Sequence, residues 1–169
     1  MSKACVYIFL GASGSGRLQI LADVLEAGLN LSSDSVSLYI AKNEWMKYQK
    51  SRPSGFTQGV DCREWQIENQ ELITAPPNEK DEFIFFVTDG QGNPVDQVEA
   101  IHKWVKEYEL HVNTVVTVVH SSLAHESPSL LPWYDACIHF SDVVLLNRRE
   151  NVPQAWIREF TDRYKKKLC

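Results

Sequence analysis

The chain has 169 residues, 44% hydrophobic and 23% charged, enough for one core and too few for two ordinary domains, so a single domain over 1–169 is expected. That composition excludes a disordered chain, and 17 Lys+Arg against 22 Asp+Glu, a net charge of -5, argue against nucleic-acid partners and anionic membrane surfaces. A small, local anion site stays open.

The longest apolar run, Ala4 to Leu10, is far short of the roughly 20 residues a membrane helix needs. It leads into a glycine loop and an amphipathic segment, which a cleaved leader does not need, so it reads as a first strand. Further strand-length runs follow at Val36–Ala41, Phe83–Thr88, Val112–His120 and Val143–Asn147, mostly continuous rather than alternating, as in strands covered on both faces. Between them, Arg17–Leu29 spaces Leu18, Leu21, Val24, Leu25 and Leu29 as a helix face. Pro94–Leu110 does the same with Val95, Val98, Ile101, Trp104, Val105 and Tyr108, and Pro94 suits a first helical turn. A last helix is expected from Pro153 through Arg163, with Trp156, Ile157, Phe160 and Tyr164 on one face. The segment Asn43–Pro77 is less regular, with turn signals and an extra strand pair around Arg63–Thr74. Ser121–Ser141 reads as a loop followed by a short helix, in which Leu130-Leu131-Pro132-Trp133 is expected to form an exposed contact surface. The alternation of strand and helix predicts an α/β three-layer sandwich with a mainly parallel sheet.

The four cysteines, Cys5, Cys62, Cys137 and Cys169, have no C-x-x-C spacing, so no metal site and no disulfide framework is expected, and a reducing cytoplasmic setting fits. His120, His125 and His139 have no ligand-like spacing and read as structural.

The strongest local signal is Gly11-Ala12-Ser13-Gly14-Ser15-Gly16-Arg17-Leu18, between a predicted strand and a predicted helix. It keeps the two glycines of the phosphate loop G-x-x-x-x-G-K-[ST] at their spacing. Glycines there let successive N–H groups converge on an anion, and the helix N-terminus adds partial positive charge. Arg17 replaces the lysine and Leu18 the metal-ligating hydroxyl. Arginine can pair with a phosphate through its planar fork; leucine cannot hold a metal. Gly11, Ser13, Gly14, Ser15, Gly16 and Arg17 are the candidate phosphate-binding residues. Two other readings of the loop stand beside this one: a tight strand-to-helix turn without ligand, and an NAD(P) loop of the Rossmann type. The latter needs glycine where Arg17 stands.

Downstream lie Thr88-Asp89-Gly90-Gln91-Gly92-Asn93-Pro94 and Ser141-Asp142-Val143-Val144-Leu145-Leu146-Asn147-Arg148-Arg149-Glu150. With the glycine loop, their order and spacing over about residues 5 to 150 resemble the CobW-type GTPases, relatives of the urease and hydrogenase nickel-insertion GTPases. The resemblance implies a P-loop NTPase-like fold binding GTP, or ATP less readily, with Asn147, Arg148 and Glu150 at the base-recognition positions. It also sets out departures. The acidic Walker B position falls on Val87, a histidine, His120, stands where the family has aspartate, and the family's Cys-x-Cys-Cys segment is absent. GTP hydrolysis is mainly positioning and charge neutralisation around magnesium, so the loss of the hydroxyl at Leu18 and the carboxylate at Val87 disfavours magnesium and efficient turnover. Asp89 is the candidate catalytic carboxylate, with a plain Asp-Gly turn as its alternative. The expected activity is nucleotide or phosphate-type anion binding with weak or absent hydrolysis. The alternative from another class is an interaction module, with a protein partner and no nucleotide.

Overall fold

The computed structural model describes residues 4–28, 35–50 and 60–165. Leu29, the Ser51-Arg52-Pro53-Ser54-Gly55 turn signal and Cys169 lie outside these residues. The elements run β1 (Cys5–Leu10), α1 (Arg17–Gly28), β2 (Val36–Ala41), α2 (Lys42–Lys50), β3 (Asp61–Glu68), β4 (Glu71–Ile73), β5 (Phe83–Val87), α3 (Pro94–Glu107), β6 (His111–His120), α4 (Ser121–Glu126), α5 (Leu131–His139), β7 (Val143–Asn147) and α6 (Gln154–Lys165). The seven strands form one sheet in the order β4-β3-β2-β5-β1-β6-β7, parallel throughout except where β4 pairs antiparallel with β3.

The continuous apolar runs of the central strands have the double-sided burial that their composition predicts. On β1 and β5, Val6, Ile8, Leu10, Ile84 and Phe86 point to a core shared with Val98, Ile101, Trp104 and Val105 of α3. The intervening Phe9, Phe85 and Val87 join Leu21 of α1 and Tyr48 of α2 on the opposite face. A third cluster, under α5 and α6, gathers Val119, Tyr134, Ile138, Phe160 and Tyr164. Helices therefore cover both faces of the sheet, as the three-layer reading requires.

Three local expectations are revised. The region after Val36–Ala41 contains a helix, α2, in a stretch read as irregular, ahead of the strand pair expected around Arg63–Thr74, which is β3 and β4. Ser121–Ser141 holds two helices, α4 and α5, joined by a 3-10 turn at Pro128–Leu130. The expected contact surface at Leu130–Trp133 is largely packed away: Leu130, Leu131 and Trp133 lie against the third cluster, and the Trp133 indole N–H donates to the Gly92 carbonyl at 2.9 Å. Only Pro132 of the four is exposed. No helix among the described residues is long and apolar enough to cross a membrane.

Candidate functional site

The first connection leaves the C-terminal end of β1 toward α1 on one face of the sheet, and the connection after the adjacent β5 leaves toward α3 on the other. A crevice opens at such a divergence, beyond the carboxyl ends of the strands. The glycine loop and residues 88–92 meet at this end of the sheet. They touch closely at Gly90, where a Cβ would sit 2.1 Å from the Ser13 nitrogen, so only glycine lets the two segments approach.

Gly14 and Gly16 have φ of 79° and 92°, left-handed values that glycine adopts without strain, and the Ser15 N–H between them donates to the Ala12 carbonyl at 3.1 Å. Gly16 is further held by Asn147, whose side-chain N–H donates to the Ser15 carbonyl at 2.8 Å. A Cβ on Gly16 would lie 2.6 Å from that nitrogen. The Ser15 hydroxyl is buried within the loop, with no hydrogen-bond partner among the described residues.

Arg17, the first residue of α1, turns its guanidinium inward. Its Nη1 donates to the Thr88 carbonyl at 2.6 Å and to the Thr88 hydroxyl at 3.2 Å, and its Nη2 lies 3.2 Å from Glu44 Oε1. The Glu44 oxygen also accepts from the Ser13 hydroxyl at 2.5 Å and from the Gly90 N–H at 3.2 Å, with Lys47 Nζ at 3.7 Å. Burial works to raise the Glu44 carboxyl, but Arg17, the Ser13 hydroxyl, the Gly90 N–H and Lys47 together hold it below the usual carboxylate value. Arginine keeps its proton under all such conditions, so the pair is ionic.

A hollow of about 200 Å³ opens beside this pair, lined by Gly14, Gly16, Arg17, Leu18, Gln19, Glu44, Lys47, Tyr48 and Arg148. That volume suits a phosphate group or two; whole small-molecule ligands usually occupy about 300–1,000 Å³. The Arg148 guanidinium reaches the loop, 3.7 Å from the position of a Gly16 Cβ. Glu150 is exposed in the following turn.

Asp89 faces elsewhere. One carboxylate oxygen accepts from the Asn43 amide at 2.6 Å and the other from the Gln91 N–H at 3.0 Å, the latter an Asx turn. It lines a second hollow, of about 380 Å³, together with Lys42, Asn43, Trp65, Asp96 and Gln97. Val87 is fully buried in the core and brings no polar atom to the loop. His120 Nδ1 accepts from the Leu123 N–H at 3.2 Å and so caps α4, while His125 and His139 rest edge-on against Trp156 and Phe140. Among the described residues no three His, Cys, Asp or Glu side chains gather as a metal-binding group.

The structure thus brings Ser13, Gly14, Ser15, Gly16, Arg17, Asn147 and Arg148 to one place. The residue that sequence reasoning missed there is Glu44, the acid that pairs with Arg17. Its signal is present but faint: Glu44 and Tyr48 are four apart, the spacing of one helix face.

The fold resembles solved structures of a known GTPase. The Zn(II)-bound YjiA GTPase from E. coli superposes with a TM-score of 0.56 at 12% identity, and a Zn(II)-bound triple mutant of YjiA GTPase with 0.57 at 14%. Each match covers 96% of this chain and 54% of the other, so this chain spans about half the length of those it resembles. No protein-family model matches the chain, and no curated protein matches it. At this identity the likeness speaks for the fold alone, an α/β fold with a mainly parallel sheet like that of the YjiA GTPase.

Proposed function

We propose that the chain is a CobW-like nucleotide-binding protein, taking GTP-type in preference to ATP-type ligands, with weak or absent hydrolysis. The observation that carries the reading is the loop itself. Two left-handed glycines at the N-terminus of a twelve-residue helix and Arg148 beside them line a phosphate-sized hollow, a cradle for an anion that the bare turn does not need. Its position at the divergence of β1 and β5 is where α/β sheets bind ligands. The phosphates rest on the loop N–H groups and the Arg148 guanidinium; Asn147 holds the loop in shape from the end of β7.

Low turnover follows from the residues at the two ion-holding positions. When bound to such a loop, magnesium neutralises charge on the transferring phosphoryl group. Here Leu18 and Val87 offer it no oxygen, and the Glu44 carboxylate is engaged by Arg17, so the residues present do not fit that ion. The sheet order also separates this fold from the dinucleotide-binding one, in which strand 1 lies beside strand 2: here β1 lies between β5 and β6.

A second reading, an interaction module without nucleotide, draws on one observation: the loop's arginine is committed to Thr88 and Glu44 inside the protein. Calorimetric titration with GTP, GDP, ATP and ADP, with and without magnesium, separates the two. Guanine nucleotides are expected to bind in the micromolar range, a free energy of about -8 kcal/mol. Absence of binding by all four at millimolar concentration rejects the nucleotide reading, and robust magnesium-dependent turnover rejects the weak-hydrolysis part.

A further inference from the structure

We infer that Glu44 is a built-in occupant of the place that a ligand's terminal phosphate would take, so that the loop favours a nucleoside mono- or diphosphate over the triphosphate. The inference rests on the nucleotide reading above and names the ligand class of that same site.

Donors from three residues converge on a single atom, with the Lys47 ammonium, which donates to the Ser13 hydroxyl at 2.9 Å, close beside them. Glu44 Oε1 has the Ser13 hydroxyl at 2.5 Å, the Gly90 N–H at 3.2 Å, the Arg17 guanidinium at 3.2 Å and the Lys47 ammonium at 3.7 Å. A hydroxyl, a backbone N–H and two cations around one oxygen make the donor set of a phosphate oxygen. The carboxylate that fills it is not a wandering surface group. Its side chain is 7% exposed, and α2 begins directly after β2 with Tyr48 buried one turn later, so the helix fixes where Glu44 can reach.

The site is therefore divided. Toward Gly14, Gly16, Gln19 and Arg148, the hollow offers the start of α1, with its partial positive charge, and a cation to an incoming anion. Toward Arg17, Ser13 and Gly90, the donors are already satisfied by an anion belonging to the protein. A phosphate chain of one or two groups rests on the first part without contesting the second. A third group, more highly charged than either inner one, meets the Glu44 carboxylate across the same guanidinium, in a buried setting where like charges are poorly screened. Binding the triphosphate then requires Glu44 to leave, and α2 to move with it.

The test is calorimetric titration of the full chain with GDP and with GTP in EDTA, wild type beside Glu44→Ala and Glu44→Gln. Wild type is expected to bind GDP at least about tenfold more tightly than GTP. Glu44→Ala is expected to bring the two within about threefold by raising the affinity for GTP alone, and Glu44→Gln, which removes the charge but keeps the bulk, to fall between. Circular dichroism establishes that each variant is folded, and the wild-type ratio of the two affinities tests the inference with no substitution at all. A wild type that binds both equally, or GTP more tightly, overturns the inference and leaves the nucleotide reading standing. So does a loss of GTP affinity in folded Glu44→Ala, which would make Glu44 a ligand-holding group. Failure of wild type and folded variants to bind either nucleotide overturns the nucleotide reading, and this inference with it.

Discussion

Arg17 and Glu44 face each other behind the glycine loop with side chains 3% and 7% exposed. Removing one partner of such a pair leaves the other buried and uncompensated, which costs about 3–5 kcal/mol. Arg17→Met is expected to lower stability to urea by that order, whether or not nucleotide is present. An arginine substitution therefore tests the fold at least as much as the ligand. The pair also sets a pH dependence. The Glu44 carboxyl titrates below its ordinary 4.5 in the folded chain, so its stabilising contribution is complete above that value and is lost as pH falls through the lower, folded one. Thermal unfolding midpoints across pH 5 to 3 are expected to fall less steeply in Glu44→Gln than in wild type; parallel curves would show that other carboxylates govern the acid limb. The candidacy of Arg17 is legible from its place in the motif. Its direction is not, because a guanidinium on the first turn of a helix can reach a ligand or the neighbouring strand end. What decides is the acid presented by another element.

Elements with strong local signals match their sequence expectations. Helix α3 starts at Pro94 with Asn93 as its cap, the Asn93 side chain accepting from the Val95 N–H at 2.9 Å. Its apolar face lies in the core, where Trp104 meets Tyr39 and Phe86 edge-on at 5.4 and 5.3 Å. Asn93→Ala is expected to destabilise the protein by about 1 kcal/mol, measured by chemical denaturation, since one orphan N–H of the first turn loses its acceptor. Helix α2 shows the opposite case. Its buried residues are Glu44 and Tyr48, with Trp45 half-buried and Met46 exposed, so hydrophobic periodicity assigns the inward face to the wrong side chains. A charged residue that is buried because a guanidinium waits for it looks, in a binary pattern, like a surface residue. The missed helix and the missed site residue have one cause.

At the scale of the whole molecule, the sheet order places β1, β2 and β5 between neighbours and leaves β4 and β7 at the edges. Hydrogen exchange is expected to be slowest at the amides of β1 and β5, paired on both sides and covered on both faces. It should be fastest in the β3–β4 hairpin, where β4 is three residues long and Glu71 and Ile73 are exposed. Equal protection of the hairpin and the centre would contradict that ordering. The sequence by itself determined the kind of the central elements, the parallel α/β class and the position of the glycine loop, since these follow from runs of residues whose physics is local: apolar strands, helix spacing, caps and glycines. Only the tertiary structure decided that β5 inserts beside β1, that residues 88–90 therefore close on the loop, and that Glu44 arrives from α2 to share Arg17. Those are meetings between segments tens of residues apart. Their partners are chosen by three-dimensional packing and charge compensation, which no local pattern in the chain records.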